Sequence, residues 1–238
     1  MNNSEFLVAI ERSFEEFIAS GTSRSTRKLI PLHGAIAYDM SDRFGHEYGV
    51  QSQGFAAGKE GFISGRYLDK KVDITITQHG KPIGGIAVKF VMQNYAQNAN
   101  NYFESMLGET ANIRSVRCPY FQVFVIPDKL PYYKKGGEFQ HWESFSKNNL
   151  RKYMMLDGDD PRVHFHTPDK MLIYVIHLPD IGDIHDKEEY RNGYAKIIDD
   201  SSGGGYVSTV DVAHFSNSVI LNDYECFAEK VYHSVLAR

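Results

Sequence analysis

An α/β domain with a central mixed β-sheet flanked by helices is what this sequence predicts, on three observations. The segment KKVDITITQHGKPIGGIAVKFVM holds two β-branched runs around His79-Gly80-Lys81-Pro82, the pattern of a β-hairpin. YFQVFVIP at 120–127 and MLIYVIHLP at 171–179 are continuous apolar runs, as strands buried on both faces require. Stretches with apolar residues at helical spacing separate these runs, so the strands are joined by crossovers.

Taken in order, residues 4–19 put Phe6, Ile10, Phe14, Phe17 and Ile18 on one stripe and stop before Gly21. A second amphipathic helix is expected from about Pro31 to Phe44, with Leu32, Ile36 and Met40 inward. GFAAGKEGFISGRY at 54–67 is glycine-rich and reads as a bent strand or loop. After the hairpin, QNYAQNANNYFESMLG reads as a helix closed by Gly108, with Ala96, Ala99, Phe103, Met106 and Leu107 as its apolar stripe. HWESFSKNNLRKYMML predicts a further helix over about 140–155. The stretch after 179 is weakly patterned, and a last helix is expected from about Leu221 to Leu236. The 238 residues are read as a single domain.

With 42% hydrophobic and 24% charged residues, the chain belongs to neither the disordered nor the fibrous class. Its first residues lack a basic stretch ahead of an apolar run, and no segment approaches ~18 uncharged apolar residues. Neither a secretory signal nor a membrane span is therefore expected. Two cysteines, Cys118 and Cys226, form no framework or metal spacing and suit a reducing, cytoplasmic setting. A net charge of −4 does not advertise a nucleic-acid binder, but steering depends on where the Lys and Arg sit.

The chemistry gathers at the hairpin. With its turn near Gly80, Asp73 falls opposite Ala87, and Ala87 and Lys89 share one strand face. An aspartate among Val72, Ile74 and Ile76 needs a partner or a cation, so it is either ion-paired with Lys89 or part of a metal site. Glu104, beside Phe103 at the border of the next helix's stripe, can lean toward the strand ends. Two carboxylates for Mg2+ and a lysine beside the attacking water are what metal-assisted phosphodiester hydrolysis asks for.

Over about 60–127 this arrangement resembles the core of the PD-(D/E)xK restriction-endonuclease superfamily. VDITI stands where the family has Pro-Asp, and IAVK where it has Glu-x-Lys, with Ala87 at the acid's position. One subgroup, which cuts around a CCGG core, also lacks that acid and supplies a glutamate from the following helix. Glu104 lies one residue beyond that subgroup's spacing from the lysine, and Glu109, past Gly108, is the reserve. The resemblance implies a restriction endonuclease-like core and a type II, sequence-specific, Mg2+-dependent endonuclease acting on double-stranded DNA. Asp73, Lys89 and Glu104 would be catalytic, with Asp73 and Glu104 on the metal. A cutter of symmetric sites would work as a homodimer.

The subgroup's arginine-containing reading motif is replaced here by Gln93-Asn94-Tyr95-Ala96. Gln93, Asn94, Gln97 and Asn98 are of the type that pairs with adenine, and equally of the type that starts and caps a solvated helix. Arg114, Lys147, Arg151 and Lys152 are the candidate phosphate contacts, the flanking helices and C-terminal part serving DNA contact or dimerisation. Glu60 is a further possible ligand for metal or water; His164 and His166, near Asp157, Asp159 and Asp160, form a separate metal candidate lacking another ligand at recognisable spacing. Two other readings remain open: a repair or junction nuclease of this fold, and an inactive DNA- or protein-binding member, for which Ala87 speaks.

Overall fold

In the computed structural model, which describes residues 1–21, 27–201, 204–210 and 217–237, the chain forms a seven-stranded mixed sheet between helices. Helix α1 (Asn3–Ser20) starts at Asn2, whose side chain accepts from Glu5 N while the Glu5 carboxylate accepts from Asn2 N. It buries Phe6, Ile10, Phe14 and Phe17 and ends at Gly21, in the left-handed conformation at φ 66°. Helix α2 (Ile30–Phe44) has Pro31 in its first turn and buries Leu32, Ile36 and Met40, as their spacing predicts.

Strand β1 (Tyr48–Ser52) comes next, then a small hairpin of β2 (Gly61–Ser64) and β3 (Asp69–Val72). Strands β4 (Ile74–Gln78) and β5 (Lys81–Phe90) form the main hairpin. His79 and Gly80, at φ 50° and 76°, are both left-handed, and Gln78 pairs with Lys81 across this two-residue turn. Helix α3 (Tyr95–Arg114) crosses over to β6 (Tyr120–Pro127). A second small hairpin, β7 (Lys129–Tyr133) and β8 (Phe139–Ser144), leads to α4 (Lys147–Gly158) and then to β9 (Lys170–His177). Helix α5 (Lys187–Asp200), β10 (Ser208–Thr209), β11 (Val219–Leu221) and α6 (Tyr224–Leu236) follow.

The sheet order is β1-β4-β5-β6-β9-β10, with β11 beside β9. β1, β4 and β5 are antiparallel, whereas β5, β6 and β9 are parallel. Alternate residues of β6 serve opposite faces: Phe121, Val123 and Val125 join the core under α1, α2 and α6, and Phe124 and Ile126 the core under α3 and α4. On β5, Ile86, Val88 and Phe90 take the first face, which leaves Ala87 and Lys89 on the other.

Three expectations are corrected. The helix expected to close at Gly108 runs on to Arg114, because Thr110 and Ile113 are buried and carry the apolar side past the glycine. Residues 139–144 are strand β8 rather than the start of a helix, and α4 begins only after Ser146, whose side chain and that of Asn149 cap each other's backbone. The weakly patterned region contains α5, capped by Asp186 through Glu188 N and Glu189 N and buried mainly through Tyr190 and Tyr194. Part of SSGGGY at 201–206 also acquires a role. The buried Glu11 carboxylate accepts from the backbone N–H of Gly205, Tyr206 and Val207, so these amides clasp the protein's own acid. Among the described residues, no helix is long and apolar enough to cross a membrane.

Candidate active site

The β2–β3 hairpin is bounded by two acids. Gly61 pairs with Val72, so Glu60 and Asp73, one residue further out on each strand, meet at its base. Helix α2 brings His33 to the same point: its ring nitrogens and the oxygens of Glu60 and Asp73 give three ligand atoms all within 4.8 Å of one another.

Glycines make this convergence possible. A Cβ on Gly34, next to His33, would lie 2.7 Å from the Gly54 carbonyl oxygen, and one on Gly54, at φ +76°, 2.5 Å from that of Ile30. The start of α2 is thus held against the loop that leads to Glu60. A Cβ on Gly61 would lie 2.7 Å from the Thr75 side chain, so β2 also enters tightly against β4 beside Asp73.

Asp73 Oδ2 accepts a 2.7 Å hydrogen bond from Val88 N, in accord with the register expected from the turn. Burial pushes the Asp73 carboxyl up to about 6, against the pull of that N–H; Glu60 and Glu109 push the same way, and Lys70 opposes them. Burial drives His33 down to about 4, with Glu60 opposing, so its imidazole is neutral at pH 7. Both His33 ring nitrogens lack a hydrogen-bond partner among the described residues. Two carboxylates and an unpartnered buried imidazole fit a divalent cation.

A cavity of about 480 Å³ opens beside this cluster, lined among others by Asp73, Lys89, Tyr102, Glu109, Gln122 and Tyr153. Lys89 is exposed, its Nζ 4.6 Å from the centre of the Tyr102 ring. A second cavity of about 230 Å³ flanks Lys89 and is lined by Lys28, Gln93, Asn94 and Asn98. Burial and the charge of Lys89 push the Lys28 ammonium below its usual range.

The structure brings Asp73 and Lys89 together but not Glu104. Five positions along a helix turn a side chain by about 140°, so Glu104 and Glu109 cannot share a direction. Glu104 is exposed and its charge is felt by Lys152, whereas Glu109 lines the cavity and pairs with Lys70. The acid nearest the site on this helix is thus the one placed beyond the expected cap. Glu60, expected as a further ligand, lies in the cluster and pairs with Lys71 at 2.9 Å.

Other candidates have structural partners. Asn94 exchanges hydrogen bonds with the Tyr133 backbone, donating at 2.8 Å and accepting at 3.1 Å, and so ties the start of α3 to β7. Asn98 donates to the Asn94 carbonyl, while Gln93 is half-buried and Gln97 exposed. The Arg114 guanidinium is buried on Asp169 and the carbonyls of His164 and Thr167. Lys152 donates to the Ala99 carbonyl and lies 5.0 Å from the Phe103 ring centre, joining α4 to α3. Lys147 and Arg151 remain exposed. His166 sits 3.3 Å from Asp159, but no third ligand gathers with them among the described residues.

His33 escaped the sequence reading, since it lies beside Leu32 in an apolar helix pattern where a histidine reads as core. The one available signal is the His33-Gly34 step, a polar ring next to a site of close backbone approach. Comparison with family models, with curated proteins and with solved structures finds no match to this chain.

Proposed function

We propose that this protein is a divalent-cation-dependent endonuclease that hydrolyses phosphodiester bonds in double-stranded DNA. The observation that carries the reading is the cluster at the base of the β2–β3 hairpin: Asp73 and Glu60 converge there, and Lys89 shares the Asp73 cavity. Asp73, Glu60 and His33 would hold the cation. When bound, it would polarise a phosphoryl oxygen and make a coordinated water more acidic. Val88 N fixes one Asp73 oxygen, so the carboxylate keeps its direction. Lys89 reaches the cavity from the face shared with Ala87 and can hold the attacking water or a phosphate oxygen. Lys28 and Lys89, on one polar cavity, form a local positive site for the strand being cut, within a chain of net charge −4.

Cleavage at defined sequences, a type II restriction role and a two-fold dimer belong to the same proposal, with Gln93 and the exposed Gln97, whose Oε1 accepts from Asn94, as the amides that would read bases. A second reading is an inactive DNA- or protein-binding member, favoured by Ala87, which packs half-buried against the small core cluster that holds Ile63, Val72 and Tyr120 and supplies no acid. Supercoiled plasmid incubated with the protein across Mg2+ and Mn2+ concentrations, beside Asp73→Asn, decides between them. Discrete linear fragments from wild type and none from Asp73→Asn are expected. Intact plasmid in every metal sinks the nuclease reading, and a smear supports cutting without sequence choice.

A further inference from the structure

We propose that His33 is the third ligand of the metal site, and that through it the site selects a first-row transition cation over Mg2+. This rests on reading the cluster as a metal site, not on DNA being the substrate. His33 is 2% exposed, and neither ring nitrogen has a hydrogen-bond partner among the described residues. A histidine kept in a core for packing normally donates or accepts at least once, because an orphaned buried polar atom loses its hydration without replacement. Here the ring is directed at two carboxylates, with all three ligand atoms within 4.8 Å. The Gly34–Gly54 approach that holds α2 against the loop is a close backbone contact, and a methyl group on either residue would force it apart. The fold therefore places this imidazole among acids at a point where little room is left to move it.

An imidazole nitrogen decides which cation is preferred. Mg2+ gives up its water reluctantly and is held through one or two carboxylates, gaining little from nitrogen. Divalent first-row transition ions accept nitrogen readily, with Mn2+ the weakest of the series. Mn2+ is thus the most demanding probe of the idea, and its electron spin reports directly on bound nitrogen. Lys71, paired with Glu60, is half exposed at 52% of its side chain and can swing into water when the cation enters.

The test uses the full chain without DNA. Calorimetric titration of the metal-free protein at neutral pH is expected to show Mn2+ binding at least tenfold more tightly than Mg2+. Pulsed electron-spin spectra of the Mn2+-loaded wild type are expected to show coupling to a nitrogen nucleus. His33→Gln should weaken Mn2+ by about tenfold or more, leave Mg2+ within about threefold, and abolish the nitrogen coupling, while His166→Gln retains it. Equal affinity for the two cations, or no nitrogen coupling in wild type, overturns the proposal even if the His33 variant fails to fold. Nitrogen coupling that persists in a folded His33→Gln protein overturns it too. Plasmid cleavage is scored separately: Mn2+ bound through His33 with no cutting removes the nuclease reading alone, whereas cutting in Mg2+ with His33 indifferent removes the inference alone.

Discussion

Asp73 is held in surroundings that oppose its charge, and the fold bears the cost. An unfolded chain releases this proton near pH 4, whereas the native state keeps it to about 6. The group therefore favours folding below its unfolded pKa, and that support is lost as pH rises through about 6. In metal-free protein, Asp73→Asn should accordingly raise stability at pH 7.5 by about 1–3 kcal/mol, since an amide oxygen can still accept from Val88 N. The gain should vanish near pH 4, which urea unfolding at both pH values checks. His33 works in the opposite sense. Its depressed pKa, about 4, penalises folding as pH falls below the ordinary histidine range, so the two groups offset each other on the acid side. Under the proposed function Lys89 would act on chemistry instead: Lys89→Ala should cut cleavage by about 100-fold or more while leaving the melting temperature unchanged. Near wild-type cutting by that variant would make the lysine a stacking partner of Tyr102 and no more.

At the scale of elements, the β2–β3 hairpin depends on a side chain from α3. Asn112, buried at 6% exposure, accepts from Tyr67 N and Leu68 N and donates to Leu68 O, so it grips the loop that joins the two strands. Asn112→Ala leaves these groups unmatched and should destabilise the protein by about 1–3 kcal/mol. Hydrogen exchange at Tyr67 and Leu68 should accelerate first; unchanged exchange would mean that the strands alone hold the loop. The sequence made the main hairpin legible because β-branched runs and a His-Gly turn are local signals. It hid the reach of α3, since an exposed Gly108 resembles a cap until the buried Thr110 and Ile113 beyond it are known. Helix α5 was equally obscure, its inward face resting on two tyrosines that look amphipathic in any setting. Asp73 and Lys89 could be found because the strands on which they depend are neighbours in sequence. Glu60, in the glycine-rich approach to the hairpin, was within reach of the same reading, but His33 was not, because only the packing of α2 on that loop brings it to Glu60 and Asp73.

For the whole molecule, the net charge of −4 and the proposed DNA contact point in different directions. On the proposed function, the exposed Lys89, Lys147 and Arg151 are candidate phosphate contacts, whereas Arg114 and Lys152 are engaged in internal contacts. Contact with three or four phosphates gives a log–log salt slope of about −3 to −4, measurable by fluorescence anisotropy in Ca2+ to suppress cutting. A flat salt response would indicate a protein partner in place of DNA. The cores on the two sides of the sheet are also unequal in reach. The one under α1 runs to α6, where Phe6 stacks on Tyr224 with ring centres 4.2 Å apart. Phe6→Ala should cost about 3–5 kcal/mol, and denaturant unfolding should show the loss with an unchanged slope.

The grip of residues 205–207 on Glu11 sets a timetable for synthesis. The acid and the first amide that clasps it are 194 positions apart. At ribosomal speeds of about 5–20 residues per second, Glu11 emerges roughly 10 to 40 s before its partners exist. Over that interval α1 cannot complete its burial without enclosing an uncompensated carboxylate. Its apolar stripe must then wait, exposed or shielded by a chaperone, for the far end of the chain. Replacing Glu11 with an apolar residue would let α1 bury its stripe as soon as the strands it covers are made, without waiting for residues 205–207.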